Sequence, residues 1–209
     1  GLAALEDVEL TLDMSMIGTF SKFQRAPRER RNGEMMTYDE VHNSAAPHPD
    51  PQILAGGPTP VDGLSWGVGV FAPYAAHQTF PADGAQRYVM VDNSKSVLAF
   101  LGVALAYEIG DRVRIGAGFH NMIASFELVN SISGYTGLHG RPEDEELDIF
   151  NRVTMEDYFA PTGNLGLWVG LSDHVEAALS AQLPATFEDD DAKLEVRMPS
   201  HPEFDNASM

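Results

Sequence analysis

The residues of this chain that could carry out chemistry are few, and their spacing matches none of the common catalytic motifs. Its 209 residues include no cysteine, which removes thiolate nucleophiles and cysteine-bound metal sites. The seven histidines show no His-Glu-x-x-His or other paired metal-ligand spacing, and no Gly-x-Ser-x-Gly elbow is present. Gly67-x-Gly69 and Gly116-x-Gly118 lack the third glycine and the following helix of a dinucleotide-binding loop. The sequence therefore predicts no catalytic activity, no cofactor and no metal site.

The acidic run Glu188-Asp189-Asp190-Asp191 is the strongest candidate for a cation site. Clustered carboxylates attract calcium, but this run lacks the alternating ligands and the glycine of an EF-hand loop. We expect a solvated acidic loop, with divalent-cation binding as the alternative.

The net charge argues against nucleic acid as a partner. Thirteen Lys and Arg against 31 Asp and Glu leave a formal charge of −18, which repels phosphate backbones. Four arginines cluster at positions 25, 28, 30 and 31. In so acidic a chain, a solvated loop explains this cluster better than a patch for anionic lipid phosphates.

Alternating side chains indicate β-strands through much of the chain. From Val8 every second residue is apolar, and the pattern continues toward Phe23, beyond the roughly 5–6 residues of an ordinary strand. The segment 52–61 contains two prolines and predicts a poor or edge-like strand. The seven predicted strands begin near residues 8, 52, 64, 86, 113, 164 and 175.

The connections between these strands are short at one end and long at the other. Asp62-Gly63, Gly110-Asp111 and Ser172-Asp173-His174 are tight turns, whereas 24–51 and 131–152 are long polar segments. Outer-membrane barrels have short periplasmic turns and long extracellular loops, and their strands need only about 9–11 residues to cross. We therefore predict an all-β fold: residues 1–209 form one partial domain, about seven strands of a transmembrane antiparallel β-barrel.

Several segments resemble the FadL-type outer-membrane transporters of long-chain fatty acids and other hydrophobic compounds. The resemblance spans Gly1 to about Leu183. The segments that carry it are Gly1-Leu2-Ala3-Ala4-Leu5, Trp66-Gly67-Val68-Gly69-Val70-Phe71-Ala72-Pro73-Tyr74, Gln86-Arg87-Tyr88, Ala104-Leu105-Ala106-Tyr107-Glu108-Ile109-Gly110-Asp111 and Ile115-Gly116-Ala117-Gly118-Phe119.

The resemblance implies a fourteen-stranded barrel that is plugged by an N-terminal hatch, in the outer membrane of a Gram-negative bacterium. This chain would supply the first half of the wall, without the hatch and the later strands. Its implied function is passive transport: a fatty acid-like molecule enters the lumen and leaves sideways into the membrane, with no cofactor. The implied partners are this ligand and outer-membrane lipid, including lipopolysaccharide; an oligomer or larger assembly is left open.

The family's lateral exit lies at a kink in the third strand. We expect that strand over Leu64 to about Phe80, where Pro73 lacks the amide hydrogen that the ladder requires. Pro73 and Tyr74 would then line the lateral gap. The alternative is that the strand ends and a loop begins at Pro73.

Aromatic residues on the glycine-rich face are the predicted ligand contacts. Phe71, Phe100 and Trp168 share this face with small neighbours, so they would line a lumenal groove, or merely fill the lumen or pack on the hatch. The same face carries a polar set that would guide a carboxylate or form a charge network, and its two arginines would alternatively mark the periplasmic rim. This polar set is Glu9, Asp13, Arg112, Arg114 and Glu176. The predicted interfacial aromatic girdle is Trp66, Tyr74, Tyr88, Tyr107 and Tyr158.

Two other functions fit part of the pattern. A structural or adhesion barrel with a closed lumen would also carry long acidic loops. A soluble all-β carbohydrate-binding sandwich would have shorter strands and a dry core between two sheets. Outer-membrane transport of hydrophobic molecules is the leading hypothesis because strand length and face chemistry agree with it.

Overall fold

Strands dominate the computed structural model of the protein, which describes residues 2–30, 32–72, 76–137, 140–202 and 204. The strands are β1 (Glu9–Ile17), β2 (Lys22–Phe23), β3 (Arg28–Glu29), β4 (Met35–Met36), β5 (Val41–His42), β6 (His48–Pro58), β7 (Leu64–Phe71), β8 (Val97–Ile109), β9 (Val113–Ser133), β10 (Asp148–Ser172), β11 (Val175–Gln182) and β12 (Lys193–Arg197). Short 3-10 turns cover Leu2–Ala4, Ala85–Tyr88 and Glu145–Leu147. Over these ranges, no helix has both the length and the apolar character that a membrane crossing requires.

The long strands form one antiparallel sheet in the order β1-β6-β7-β8-β9-β10-β11. β12 also pairs with β10, at 150–154, whereas β11 pairs with its other end, at 164–172. Two small sheets, β2-β5 and β3-β4, lie between β1 and β6. Among the described residues the sheet is open. The prediction of an all-β antiparallel fold is confirmed.

Tight turns join the strands at the end where the sequence predicts them. Gly63 and Gly110 both have positive φ, +76° and +57°, and glycine adopts this conformation without strain. A Cβ at Gly63 would also lie 2.9 Å from the carbonyl oxygen of Glu108. Glycine is therefore required at this turn for two independent reasons.

The two faces of the sheet differ in chemistry and in cover. One face, here called the outer face, exposes aliphatic side chains such as Leu101, Val103 and Leu105. The other, the inner face, carries Gly56, Gly67 and the buried Phe100, and the N-terminal turn packs on it. The Leu2 side chain lies there, about 3.0 Å from where a Cβ would stand on either glycine. Because successive side chains of a strand point to opposite faces, the alternating sequence gives one aliphatic face and one face with small residues.

β6 corrects the prediction of a poor, edge-like strand over 52–61. It begins earlier, at His48, and lies inside the sheet between β1 and β7. Pro49 and Pro51 fall where β6 pairs with β1, whereas the pairing with β7 starts at Ile53. Pro49 and Pro51 therefore have a neighbouring strand on one side only, so their missing N–H groups cost no hydrogen bond to β7.

Strand boundaries also differ from the predicted ones around the third and fourth strands. β7 ends at Phe71 instead of about Phe80, and β8 begins at Val97 instead of about Gln86. The described residues between these strands form a loop with the 3-10 turn Ala85–Tyr88 inside it. The alternation that predicts the fourth strand lies within 100–107, whereas 86–96 belongs to the loop, where tertiary contacts bury Gln86 and Arg87.

The long segments at the other end are partly structured. The connection between β1 and β6 is 18–47 and contains the four short strands, whereas 24–51 was expected to be loop. The connection between β9 and β10 is 134–147, narrower than the expected 131–152, because both strands continue past the rest of the sheet. This end of the protein is therefore a set of folded loops above two long strands.

Candidate functional site

Four side chains form an aromatic cluster on the inner face, where β7 ends. Phe71 and Phe100 are paired across β7 and β8, and their rings are stacked with centroids 5.4 Å apart. His120 lies edge-on to both rings, at 6.1 and 6.3 Å. Met122 pairs with Phe100 across β8 and β9, and both are buried. The register of β7, β8 and β9 thus brings these four side chains together.

Glycines create the space that this cluster needs. A Cβ at Gly102 would lie 2.3 Å from Nδ1 of His120, closer than any real side-chain contact. A Cβ at Gly118 would lie 2.2 Å from Oδ1 of Asn164, which accepts a hydrogen bond from Nε2 of His120 at 3.1 Å. The His120–Asn164 pair therefore lies directly on the backbone of the sheet.

A groove of about 520 Å³ extends from Asn164 along the inner face toward the tight turns. Its floor consists of small residues on three neighbouring strands, and the N-terminal turn borders it through Leu2 and Ala3. The floor residues are Ala104, Ala106, Gly116 and Gly166. Small side chains leave depth for a ligand, and this volume lies within the roughly 300–1,000 Å³ of small-molecule sites.

A charged and aromatic group closes the groove at the turn end. The Arg114 guanidinium lies 4.5 Å from the Trp168 ring centroid, a cation–π contact, and its Nε donates to Glu108 at 3.1 Å. Trp168 Nε1 donates to Glu176 at 3.2 Å. The structure therefore brings together three of the predicted site residues, Arg114, Trp168 and Glu176, and all three line the groove.

Trp168 is far from the other predicted aromatic contacts. Arg114, its partner across the strands, is eight residues before Met122 on β9. Eight residues of extended chain correspond to about 27 Å. The aromatic cluster and the Trp168 end are therefore separate parts of the inner face, joined by the groove.

The remaining predicted residues do not join this site. Glu9 and Asp13 are exposed on β1, and Asp13 accepts a hydrogen bond from Ser15. Arg112 lies at the tight turn with an exposed ion pair to Asp173 at 3.4 Å. Pro73 and Tyr74 lie outside the described residues.

Sequence reasoning missed a buried ionic cluster above the sheet, here called the clasp, around Arg87, Tyr88, Glu143 and Asp148. The Arg87 side chain is 6% exposed and pairs with Asp148, which is 10% exposed. It also donates to the Glu143 carbonyl oxygen at 2.7 Å and to the Asp83 carbonyl oxygen at 3.2 Å. The Tyr88 hydroxyl donates to Asp148 at 2.9 Å. Tyr88 is thus a clasp residue and not the interfacial girdle residue that was predicted.

The clasp changes the protonation behaviour of its members. Burial raises the pKa of Tyr88, and the hydrogen bond to Asp148 raises it further. Burial alone would lower the pKa of Arg87, but the hydrogen bond and charge of Asp148 outweigh it and raise the pKa. Arg87 and Asp148 are 61 residues apart, so no local motif signals their pairing. The Gln86-Arg87-Tyr88 triplet was the sole hint.

Glu143 links the clasp to the arginine-rich loop. Its carboxylate accepts the Tyr38 hydroxyl at 2.8 Å and pairs with Arg25 at 2.9 Å and Arg28 at 3.7 Å. Its φ is +69°, a conformation that non-glycine residues rarely adopt. Two of the four clustered arginines therefore pair with an acid of another loop, and of these Arg25 is 30% exposed and Arg28 66% exposed.

Hydrogen bonds between carboxylates and backbone amides hold the acidic run 188–191 in place. Asp189 accepts the amides of Glu156 and Asp191, and Asp157 accepts the amide of Glu188. Throughout the described ranges, no three His, Asp or Glu side chains lie close enough to hold a metal ion.

Comparison with solved structures finds a shared fold. A crystal structure of a Pseudomonas aeruginosa FadL homologue superposes with a TM-score of 0.57 over 83% of this chain, at 14% sequence identity. The chain spans 41% of the length of that homologue. No protein-family model matches the chain, and no curated protein matches it either. At this level of identity the likeness concerns the architecture, so the antiparallel sheet described above has the fold of part of a FadL-type barrel.

Proposed function

We propose that this chain forms part of an outer-membrane passage for hydrophobic small molecules in a Gram-negative bacterium. The observation that carries the proposal is the division of one antiparallel sheet into an exposed aliphatic outer face and an inner face with a groove. Lipid favours the first surface, because apolar area that is transferred out of water contributes about 25 cal/mol per Å². The second surface offers a site that is shielded from lipid.

The groove supports an apolar ligand. Its floor of alanine and glycine carries no charge and leaves room for an alkyl or aryl group. Phe71, Phe100 and Met122 continue this apolar surface toward the loops. A hydrophobic molecule that enters between the loops would therefore find a largely apolar surface along the inner face, with the His120–Asn164 pair as its polar group.

Long-chain fatty acids are the substrate class that we propose. Arg114 lines the end of the groove. Its Nε donates a hydrogen bond to Glu108, and the face of its guanidinium contacts the Trp168 ring. A carboxylate at this end would find a cation, and the alkyl chain would lie over the glycine and alanine floor. Glu108 already balances the charge of Arg114, and Glu176, which is bound to Trp168, makes this end acidic in the absence of ligand, so a bound carboxylate would compete with Glu108 for Arg114.

Lateral release is supported by the shape of the wall beside Phe71. β7 stops there, whereas β6 continues to His48 and β8 to Val97 on either side. Over these extra residues, within the described part of the chain, β6 pairs with β1 and β8 with β9. We propose that the interruption after Phe71 is the exit into the membrane.

Uptake by whole cells tests the proposal. Gram-negative cells that lack their own fatty-acid transporter would carry the full-length gene and receive radiolabelled oleate or hexadecane. Gly166→Leu should abolish uptake of both, because a Cβ there meets no atom within 4 Å and the larger side chain would fill the groove without disturbing the fold. Ala177→Leu adds similar bulk to an exposed position of β11 and should leave uptake unchanged.

Two results would contradict the proposal. Uptake that survives Gly166→Leu would exclude the groove as the route. A full-length wild-type protein that reaches the outer membrane but gives no uptake above empty cells would favour a structural or adhesion barrel instead.

A further inference from the structure

Asn164 is an amide in a mostly apolar stretch of the groove. It occupies an inner-face position of β10 and pairs with Gly118 on one side and Gln182 on the other. Its side chain lines the groove together with Ala104, Gly116 and Gly166. Asn164 is exposed to solvent in the groove, so its polar atoms lose water only when a ligand covers them, and they then need hydrogen-bond partners.

The orientation of this amide is determined by its neighbours. Its Oδ1 accepts the Nε2–H of His120 at 3.1 Å, and the missing side chain of Gly118 leaves room for it. His120 is held in turn by the space at Gly102 and by the edges of the Phe71 and Phe100 rings. Two glycines and two aromatic rings thus fix one imidazole, and the imidazole fixes the amide.

This arrangement leaves the other half of the amide available. With Oδ1 taken by His120, Nδ2 presents two N–H donors that have no hydrogen-bond partner among the described residues. A plain hydrocarbon in the groove would remove these donors from water without replacing the bond. A ligand that carries an acceptor oxygen at this position would satisfy one donor, which is how sites distinguish ligands that differ by one polar group.

The amide acts independently of the charged end of the groove. Trp168 is four residues further along β10, about 14 Å away in an extended strand. A neutral acceptor near Asn164 would therefore be recognised without help from Arg114. A ligand with a neutral ketone measures the hydrogen bond of Asn164 without the charge interaction of Arg114.

We propose that Asn164 is a specificity-determining residue of the groove and that His120 is its positioning residue. Together they make the groove prefer apolar molecules with a hydrogen-bond-accepting oxygen over plain hydrocarbons. This inference rests on the proposed function, since it places an apolar ligand in the same groove.

Tryptophan fluorescence provides a reporter at the site. These 209 residues contain two tryptophans, Trp66 on β7 away from the groove and Trp168 in it, so Trp66→Phe leaves Trp168 as their one fluorescent indole. Full-length Trp66→Phe protein, with every tryptophan outside these residues also replaced by Phe, would be titrated in lipid nanodiscs with 1-bromodecane and with 10-bromo-2-decanone, whose bromine quenches Trp168. The two probes partition differently into lipid, so the readout is the ratio of their half-quenching concentrations, compared between variants.

We expect Asn164→Leu and His120→Phe to shift this ratio about three- to ten-fold toward the hydrocarbon, the effect of one hydrogen bond. His120→Gln places an N–H donor near the position of Nε2 and should restore the preference for the ketone. His174→Phe, in an exposed turn, is the matched control and should keep the wild-type ratio. Circular dichroism checks that each variant is folded. If His120→Phe does not fold, the ratios of Asn164→Leu and His120→Gln test the proposal.

The outcomes separate the inference from the proposed function. An unchanged ratio in Asn164→Leu, with Trp168 still quenched by both probes, would overturn the role of Asn164 and leave the groove as the ligand site. If neither probe quenches Trp168 in the Trp66→Phe protein, the groove does not bind apolar molecules and both proposals are wrong.

Discussion

One arginine joins parts of the chain that are far apart in sequence. Arg87, in the loop between β7 and β8, binds Asp148 at the start of β10 and the backbone of Glu143 in the preceding loop. A buried charge is tolerated when an opposite charge and further hydrogen bonds surround it. At the scale of single residues, this clasp is the best-defined polar feature among the described residues.

Arg87→Met should therefore destabilise the protein strongly. The change leaves Asp148 buried without its partner, which costs about 3–5 kcal/mol of unfolding free energy. Denaturant unfolding of the full-length protein in detergent measures the effect. Arg112→Met is the matched control, because the Arg112–Asp173 pair is 63% and 86% exposed and such pairs contribute about 0–1 kcal/mol. Equal effects of the two substitutions would contradict the role of the clasp.

Tyr88 should give the protein an alkaline limit to its stability. The folded-state pKa of Tyr88 is raised above the unfolded value of 10.0 by burial and by the hydrogen bond to Asp148. The resulting stabilisation is fully present below pH 10 and is lost as the pH rises from 10 toward the folded pKa. The measurement is the unfolding free energy between pH 8 and 12, in increments of about one unit.

Tyr88→Phe should remove this alkaline loss and lower stability below pH 10, since the bond that the hydroxyl donates to Asp148 and the bond that it accepts from Arg87 both disappear, at about 1 kcal/mol each. Tyr107→Phe changes an exposed tyrosine of β8 and should keep the wild-type profile. A Tyr88→Phe protein with an unaltered alkaline limb would show that the hydroxyl is not held as described.

At the scale of elements, the Asn43 side chain makes four of the hydrogen bonds that hold the loop after β7 and the connection between β1 and β6 in place. Asn43 donates to the carbonyl oxygens of Thr19 and His77 at 2.7 and 3.1 Å. Its own oxygen accepts the amides of Ala45 and Thr79 at 3.0 and 2.8 Å. Asn43 thus joins the connection between β1 and β6 to the loop after β7.

Asn43→Leu should loosen this loop while leaving the strands intact. Four hydrogen bonds disappear, so amide hydrogen exchange at Thr79 should accelerate at least about ten-fold, the equivalent of 1.4 kcal/mol. Exchange in β8 and β9 should remain slow. Asn32→Leu, in an exposed hairpin, is the control. If exchange in β8 and β9 also accelerated, Asn43→Leu would destabilise the whole protein, and Asn43 would not act on the loop alone.

At the scale of the whole molecule, the chain separates its chemistry by face and by end. Aliphatic residues occupy the outer face, small and aromatic residues the inner face, and folded loops with ionic pairs lie beyond the long strands. This arrangement explains how a chain with a charge of −18 presents an apolar surface. Much of the acid lies in loops and turns, away from the outer positions of the strands.

Val103→Lys tests the proposed membrane contact of the outer face. Val103 lies at the middle of β8 and is 53% exposed. A lysine near the midplane of a bilayer should lower the unfolding free energy by about 2–4 kcal/mol in lipid vesicles. Gln182→Lys, on the exposed end of β11 opposite Asn164, should cost much less because inner positions can be hydrated. Equal tolerance of the two lysines would argue against lipid contact on the outer face.

Much of the architecture is predictable from the sequence because period-two alternation is a local property. The strands near 113 and 175, the turns at Gly63 and Gly110, and the division into two faces all follow from neighbouring residues. The boundaries of the third and fourth strands were misplaced because the loop between them is held by residues remote in sequence. Thr79 donates its amide to Asn43, and Arg87 pairs with Asp148.

The sequence by itself determined the class of fold, since extended chain with one apolar face has few ways to bury or solvate that face. The tertiary structure alone decided which side chains meet. Strand register joins Phe71 to Phe100 and Arg114 to Trp168, and glycine gaps place His120 beside Asn164. The clasp joins Arg87 to Asp148 across 61 residues. Such pairs depend on distances between remote parts of the chain, which local periodicity does not encode.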